Sequence, residues 1–317
     1  MGIFDRVARP AILAASRSQR LRATAERLPV TRRVVDRFVA GETVPEALDA
    51  TAALRASGRL VTIDYLGEDT TCKEDADTTV AAYLALLEGL KSDSDAKVRP
   101  LEVSLKLSAL GQALPSDGEK IALENAHTIC AKARDIGAWV TVDAEDHTTT
   151  DSTLSIVRDL RTEFDWLGTV LQAYLKRTRA DCAEFAASGA RIRLCKGAYD
   201  EPASVAYRDP DEVTDSYLTC LRILMAGRGY PMVASHDPEI IAAVPALARE
   251  YHRGVDDFEY QMLYNIRDGE QRRLADEGNH VRVYVPFGYE WYGYFVRRLA
   301  ERPANLTFFL RALAERR

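Results

Sequence analysis

Eight short apolar stretches, rich in β-branched residues and separated by helical patterns, constrain this chain more than any other feature. They read VTIDYLG at 61–67, EVSLKLS at 102–108, WVTVDAED at 139–146, GTVLQAY at 168–174, RIRLCKGAY at 191–199, PMVASHD at 231–237, DFEYQMLY at 257–264 and VRVYVPFG at 281–288. Each is strand-like in composition and ends in polar residues. Between most of them lie helical patterns of roughly 15 residues or more. Those around ADTTVAAYLALLEGL and ENAHTICAKARDIGA are examples, the second stopped by Gly137. Strands alternating with helices predict a parallel sheet, and eight of them predict a closed barrel. The expected fold is therefore α/β, a distorted (β/α)8 TIM-like barrel. An open doubly wound sheet is the rival, but no G-x-G-x-x-G follows any of the runs. Residues 1–58 read as an N-terminal helical segment, linked through Ala56-Ser57-Gly58 to a barrel domain over 59–317. The KSDSDAKVRP stretch at 91–100 is a polar loop ended by Pro100 before the second run.

Bulk properties narrow the function. The 317 residues suffice for one large barrel, and a net charge of −6 gives no bulk attraction to nucleic acid. The charge is uneven: residues 1–40 carry nine arginines against Asp5, Glu26 and Asp36, a local +6. That basic start, with Ile3, Phe4, Val7 and Leu13 among its charges, reads as an amphipathic cap on the main domain or as a segment lying on a membrane surface. Its interrupted apolar residues do not make a signal peptide, and no apolar run in the chain is long enough to span a bilayer. Cys72, Cys130, Cys182, Cys195 and Cys220 are scattered and form no C-x-x-C, so neither a disulfide framework nor a thiolate zinc site is expected. The expected location is cytoplasmic, with peripheral contact at the inner face of the membrane as an option.

In such a barrel the active site lies at the C-terminal strand ends. The polar residues late in each run are Asp64, Lys106, Asp143 with Glu145, Gln172, Arg193 with Lys196, Ser235 with His236, Glu259 with Gln261, and Tyr284. Each alone has an ordinary structural explanation. Nearly every run delivers such a group to the same rim, however, and one mixed-charge pocket explains them together. A metal centre is not expected there, because a single strand-end histidine is too few ligands. Lys106 and Lys196 are conceivable Schiff-base lysines, although nothing local depresses their pKa. The KGAY run at 196–199 holds two small residues, Gly197 and Ala198, that let backbone approach a large ligand, and reads equally as a plain strand-to-helix turn.

The stretch YFVRRLAERPAN at 294–305 raises a separate possibility. At helical spacing Tyr294, Arg297, Arg298 and Glu301 share a face. That face is either a solvated Arg–Glu stripe or a double-guanidinium clamp for a carboxylate. The helix follows the eighth run, so its N-terminal part faces the rim.

Taken in order, SLKLSAL, VDAED, QAYLKR, RLCKGAY, ASHD, FEYQMLY and YFVRRLAERPAN resemble the motifs of proline dehydrogenases, over about residues 60–305. The chain is similar to the monofunctional bacterial kind. The resemblance implies noncovalent FAD, oxidation of L-proline to Δ1-pyrroline-5-carboxylate by hydride transfer to the flavin, and a membrane quinone as electron acceptor. It implies that Arg297 and Arg298 hold the proline carboxylate with Lys106 assisting, and that Glu301 orients the arginines. Asp143 orders the site by pairing with a basic neighbour, and Arg193 sits near flavin N5. Gln172, Lys196, Gly197, Ala198, Ser235 and His236 contact FAD, with Ala144 contributing backbone. Tyr284, Tyr294 and Leu263 enclose the substrate ring. Cys195, Ser235 and Asp237 stand where an aliphatic residue, threonine and asparagine are usual, which bears on how the cofactor is seated.

Overall fold

The computed structural model describes Val35, residues 38–91 and residues 100–301, with side chains through Val296. Eight parallel strands close into a barrel in sequence order. They are β1 (Leu60–Tyr65), β2 (Glu102–Leu105), β3 (Trp139–Val142), β4 (Gly168–Gln172), β5 (Arg191–Cys195), β6 (Tyr230–Ala234), β7 (Glu259–Leu263) and β8 (Val281–Phe287). The seam between β1 and β8 is the longest, pairing Leu60 with Arg282 through Tyr65 with Phe287. All eight runs become strands, and the barrel expected from their spacing is the fold observed. The strands stop earlier than several runs do. After β2, Ser108–Leu110 turn into a short 3-10 segment, and after β3 the Asp146 side chain accepts from Thr148 N, so both polar tails are loops.

Helices cover the barrel. Among the described residues they are α1 (Val44–Ala56), α2 (Lys73–Lys91), α3 (Gly118–Asp135), α4 (Thr150–Arg161), α5 (Thr178–Ala187), α6 (Pro210–Ala226), α7 (Pro238–Glu250), α8 (Asp268–Asp276) and α9 (Trp291–Glu301). Their starts are written locally. Asp209 and Asp237 each precede a proline at the first helical position, and their carboxylates accept the backbone N–H of Asp211 and Glu239, respectively. In the described part of the N-terminal segment, Ala47 and Leu54 of α1 join the same core as the strands.

The alternation along each strand sorts the chemistry. Val61, Ile63, Val103, Leu105, Val140, Val142, Ile192, Leu194, Val281 and Val283 point outward and pack with helix residues such as Leu86, Ile129, Val157, Leu224 and Val244. Burying each such side chain stabilises the fold by roughly 1.5–3 kcal/mol. Their neighbours in sequence point inward and are polar: Thr62 and Asp64, Glu102 and Ser104, Thr141 and Asp143, Arg191 and Arg193, Glu259 and Gln261, Arg282 and Tyr284. The barrel thus has its oil outside and its ions inside.

The lower half of that interior, at the strand starts, is a closed ionic layer. Glu102 pairs with Arg191 and with Arg193 Nη2 at 2.9 Å, and accepts from Thr62 Oγ1 at 2.7 Å. Arg282 is fully buried and donates to Glu259 Oε1 at 2.7 Å, Val61 O at 2.9 Å and Pro100 O at 3.2 Å. Arg191 stacks on the Trp139 ring, its guanidinium carbon 3.9 Å from the centroid. Burial opposes the charge on Glu102, but Arg191, Arg282 and Arg193 together hold its carboxyl well below the usual range.

A second apolar cluster lies over β8. Val35, Phe38 and Val39 pack with Leu66 and with Trp291, Tyr292, Tyr294, Phe295 and Val296 of α9. Ala40 N donates to Pro286 O at 2.9 Å and Gly288 N donates to Gly41 O at 3.0 Å, which ties this segment to the end of β8. No described helix is long and apolar enough to cross a membrane.

Candidate active site

At the upper, C-terminal end of the barrel the inward residues form a second cluster around Asp143. Its Oδ1 accepts from Arg193 Nη1 at 2.7 Å and from Ser104 Oγ at 2.8 Å, and its Oδ2 accepts from the Tyr284 hydroxyl at 2.7 Å. Lys106 Nζ donates to Asp64 Oδ2 at 2.7 Å and lies 3.8 Å from Asp143 Oδ2 and 3.5 Å from the Tyr284 hydroxyl. β1, β8 and the end of β3 thus bring one group each to one point, β2 and its end bring Ser104 and Lys106, and β5 supplies the arginine beneath them.

Each group's charge state follows from its partners. Burial opposes the charge on Lys106, but Asp64 and Asp143 outweigh it and hold the ammonium protonated. Burial, reinforced by Asp143 and Asp64, pushes the Tyr284 phenol well above its usual range, so it remains a donor to Asp143. Arg193 is fixed on four sides: Nε donates to Gln261 at 2.6 Å, Nη1 to Asp143 and Ser104, and Nη2 to Glu102. Its guanidinium carbon lies 5.2 Å from the Tyr284 ring centroid. Counted through both layers, Lys106, Arg191, Arg193 and Arg282 balance Asp64, Glu102, Asp143 and Glu259. Among the described residues the formal charges of the two layers cancel.

Both lysines considered as Schiff-base nucleophiles are held by carboxylates. Lys106 is an ammonium locked to Asp64, and Lys196 Nζ donates to Asp237 Oδ2 at 2.6 Å and Thr214 Oγ1 at 2.8 Å. Neither is an available nucleophile. Asp237 serves twice, since its other oxygen caps α7.

The remaining sequence-predicted residues line the same rim. Cys195 at the end of β5 and residues 196–199 after it are all half-buried. Gly197 adopts φ +116°, and a Cβ there would fall 2.3 Å from the Tyr174 ring, so the turn at 196–198 requires glycine. Gln172 is buried at the end of β4, and its amide oxygen accepts no hydrogen bond among the described residues. Ser235 Oγ accepts from Asp237 N at 3.0 Å, and His236 Nε2 accepts from Leu263 N at 2.9 Å, which joins the loop after β6 to the end of β7. Ala144 follows Asp143 directly and is half-buried. Tyr294, on the rim helix α9, is buried among the aromatic residues of the second cluster. The side chains of Arg297, Arg298 and Glu301 lie outside the described residues, although α9 runs through these positions.

Reading strand ends alone misses Ser104 and Glu102, which sit lower on β2 yet hold Arg193. The signal for them was the alternation Glu102, Ser104, Lys106 on one face of that strand. It also misses Glu201, a buried carboxylate in the loop after β5 that pairs with His147 and accepts from the Tyr174 hydroxyl at 3.3 Å. Nothing local in the sequence singles that residue out.

Comparison with known proteins gives a consistent result. The sequence profile of the family described as Proline dehydrogenase matches residues 47–311. The chain is 41% identical over 286 residues to a proline dehydrogenase of Deinococcus radiodurans, covering 88% of this chain and 90% of that protein. It is 37% identical over 286 residues to proline dehydrogenase 1 of Bacillus subtilis (strain 168), covering 90% of this chain and 92% of the relative. Among solved structures, proline utilization A (PutA) from Bdellovibrio bacteriovorus, inactivated by N-propargylglycine, superposes with a TM-score of 0.78 at 26% identity. That match covers 86% of this chain but only 33% of the longer protein.

Proposed function

The chain belongs to the proline dehydrogenase family, and from that premise we propose that it uses FAD to oxidise L-proline to Δ1-pyrroline-5-carboxylate and passes the electrons to a membrane quinone. This would be the first step of proline catabolism. The observation that carries the reading is the Asp143-centred cluster at the barrel mouth, with Arg193 beneath it and Lys106 and Tyr284 beside it.

The rim fits a flavin. The buried, unpartnered amide oxygen of Gln172 is an acceptor suited to a ring N–H. The glycine turn at Gly197 brings the half-buried Lys196 and Ala198 to the rim. Lys196, Gly197, Ala198, Ser235, His236, Gln172 and the Ala144 backbone would hold the cofactor. When bound, FAD accepts the hydride leaving the carbon beside the proline ring nitrogen.

The chain's own residues bind and orient. Arg193 cannot lose its proton at any physiological pH, and its fixed charge favours negative charge growing on the cofactor ring. Asp143 keeps Arg193 and Tyr284 in place through both of its oxygens. Tyr284, Leu263 and Tyr294 enclose the substrate ring.

Interior neutrality explains the need for a clamp. Lys106 is already compensated by Asp64 and Asp143, so a substrate carboxylate would enter a site with no surplus positive charge. Arg297 and Arg298 supply it, with Glu301 holding them, and Lys106 assists through its remaining donor capacity. The local +6 of residues 1–40 supports contact with an anionic membrane surface, where a quinone resides.

The test is an absorbance spectrum of the purified protein before and after anaerobic L-proline. A flavin spectrum that bleaches with L-proline, and not with D-proline or glycine, is the expected result. A flavin spectrum that persists would refute the substrate. A protein that stays colourless after incubation with FAD would refute the cofactor.

A further inference from the structure

One layer above Lys106 and Asp143, the same two strand-end loops meet again. Glu145 is nearly fully buried, and both of its oxygens are used on one residue: Oε1 accepts from Ser108 N at 3.1 Å and Oε2 from Ser108 Oγ at 2.5 Å. Ser108 passes the connection on to the loop after β1. Its Oγ accepts from Asp69 N at 3.1 Å, and its carbonyl accepts from Thr70 N at 3.2 Å and Thr70 Oγ1 at 2.6 Å. Three loops are therefore joined at Ser108. Lys106 precedes Ser108 by two residues in the loop after β2, and Asp143 precedes Glu145 by two in the loop after β3. The loop after β1 likewise continues the strand that carries Asp64.

We propose that Glu145 is a positioning residue: in its ionised form it clasps both donors of Ser108 and so holds the ends of β1, β2 and β3 where Asp64, Lys106 and Asp143 converge. The proposal rests on the function proposed above, since it concerns how the substrate-binding groups are kept in place.

The chemistry of the clasp makes it depend on protonation. A carboxylate accepts from both donors at once with charge-assisted bonds. A carboxylic acid must turn one oxygen into a donor, and Ser108 Oγ, which already accepts from Asp69, then loses its own acceptor. Among the described residues the charged groups facing Glu145 are Glu68 from the loop after β1 and Lys106 just after β2. Burial raises the Glu145 carboxyl to about 7, Glu68 adds to the rise, and the Ser108 donors and Lys106 oppose it. The switch therefore falls within the physiological range.

The experiment uses the flavin-loaded full chain and tetrahydrofuran-2-carboxylate, a proline analogue whose ring oxygen has no proton to titrate. Calorimetry would give its dissociation constant from about pH 5.5 to about pH 9. In the wild type the affinity should fall roughly tenfold as pH drops through the Glu145 transition. Glu145→Gln mimics the neutral acid, so its affinity should stay at the low-pH value at every pH. Ser108→Ala removes a bond that favours the ionised carboxyl, so its transition should move to higher pH, a change that general loosening of the fold would not produce. Wild-type affinity that does not vary with pH, a Glu145→Gln profile matching the wild type, or an unmoved transition in Ser108→Ala would each overturn the proposal. A wild type that binds the analogue at no pH would overturn the assigned function and this proposal with it.

Discussion

The two halves of the barrel interior are built from the same residue types and differ in what those residues have left to do. In the lower layer, Glu102, Glu259, Arg191 and Arg282 are bound to one another, to backbone carbonyls and to Trp139. In the upper layer, Asp64, Lys106, Asp143 and Tyr284 are also paired, but they stand beside a half-buried rim, a turn that requires glycine and the unpartnered oxygen of Gln172. A buried ion network is thus not by itself the mark of an active site. The mark is a network at the strand ends that borders a half-buried rim; an unsatisfied atom alone is no mark, since Arg191 Nε in the lower layer also lacks a hydrogen-bond partner among the described residues.

Mutation can break this contrast where it is sharpest. Arg282→Met should cost about 3–5 kcal/mol of stability, because it strands the buried Glu259 carboxylate and two carbonyls. Urea unfolding would measure the loss, and a variant as stable as the wild type would contradict a structural role for the lower layer. Arg298→Met should leave the fold and the flavin intact and raise the KM for proline roughly hundredfold, about 3 kcal/mol of lost carboxylate binding. Unchanged proline kinetics would remove the clamp.

Glu145 yields an intermediate effect with a definite sign. Its folded-state pKa of about 7 lies above the ordinary 4.5, so the folded protein binds this proton more tightly than the unfolded chain does. The stability it confers is present at low pH and lost as pH rises from about 4.5 to about 7, on the order of 2–3 kcal/mol. Comparing wild type with Glu145→Gln by urea unfolding at about pH 5 and about pH 8 isolates this contribution. The gap between the two proteins should shift by that amount in favour of the variant at the higher pH. The smallest effect belongs to Tyr284→Phe, which removes one hydrogen bond to Asp143 and should lower kcat/KM roughly fivefold, about 1 kcal/mol. An equal drop in stability would instead place Tyr284 with the lower layer.

Much of this architecture was legible before any coordinates. The alternation in VTID, EVSL and WVTV carries both the strand assignment and the inward facing of Asp64, Glu102, Ser104 and Thr141, because side-chain period and strand geometry are the same fact. Strand ends were less legible. EVSLKLS and WVTVDAED read as longer strands because nothing local says that Ser108 and Glu145 leave the ladder to bond each other. Pairings across the barrel were illegible, since Arg193 meets Glu102 and Gln261 only once register and closure are set. Glu201 belongs to the same class: its partners His147 and Tyr174 come from other loops.

A barrel lined with ions also has an order of assembly. Its longest seam joins β1 to β8, the two strands farthest apart in the chain, so closing it carries the greatest loop entropy. Until that seam forms, water can reach Asp64, Arg193 and Arg282, and their charges need no protein partners. Closure is the moment at which they must exchange hydration for one another. The outward-facing valines and helices can collapse earlier without that exchange. Dehydration of the interior thus becomes the final event of folding, and readmission of water along β1 and β8 the first event of unfolding. Native-state hydrogen exchange would reveal it as β1 and β8 amides that open below the free energy of global unfolding.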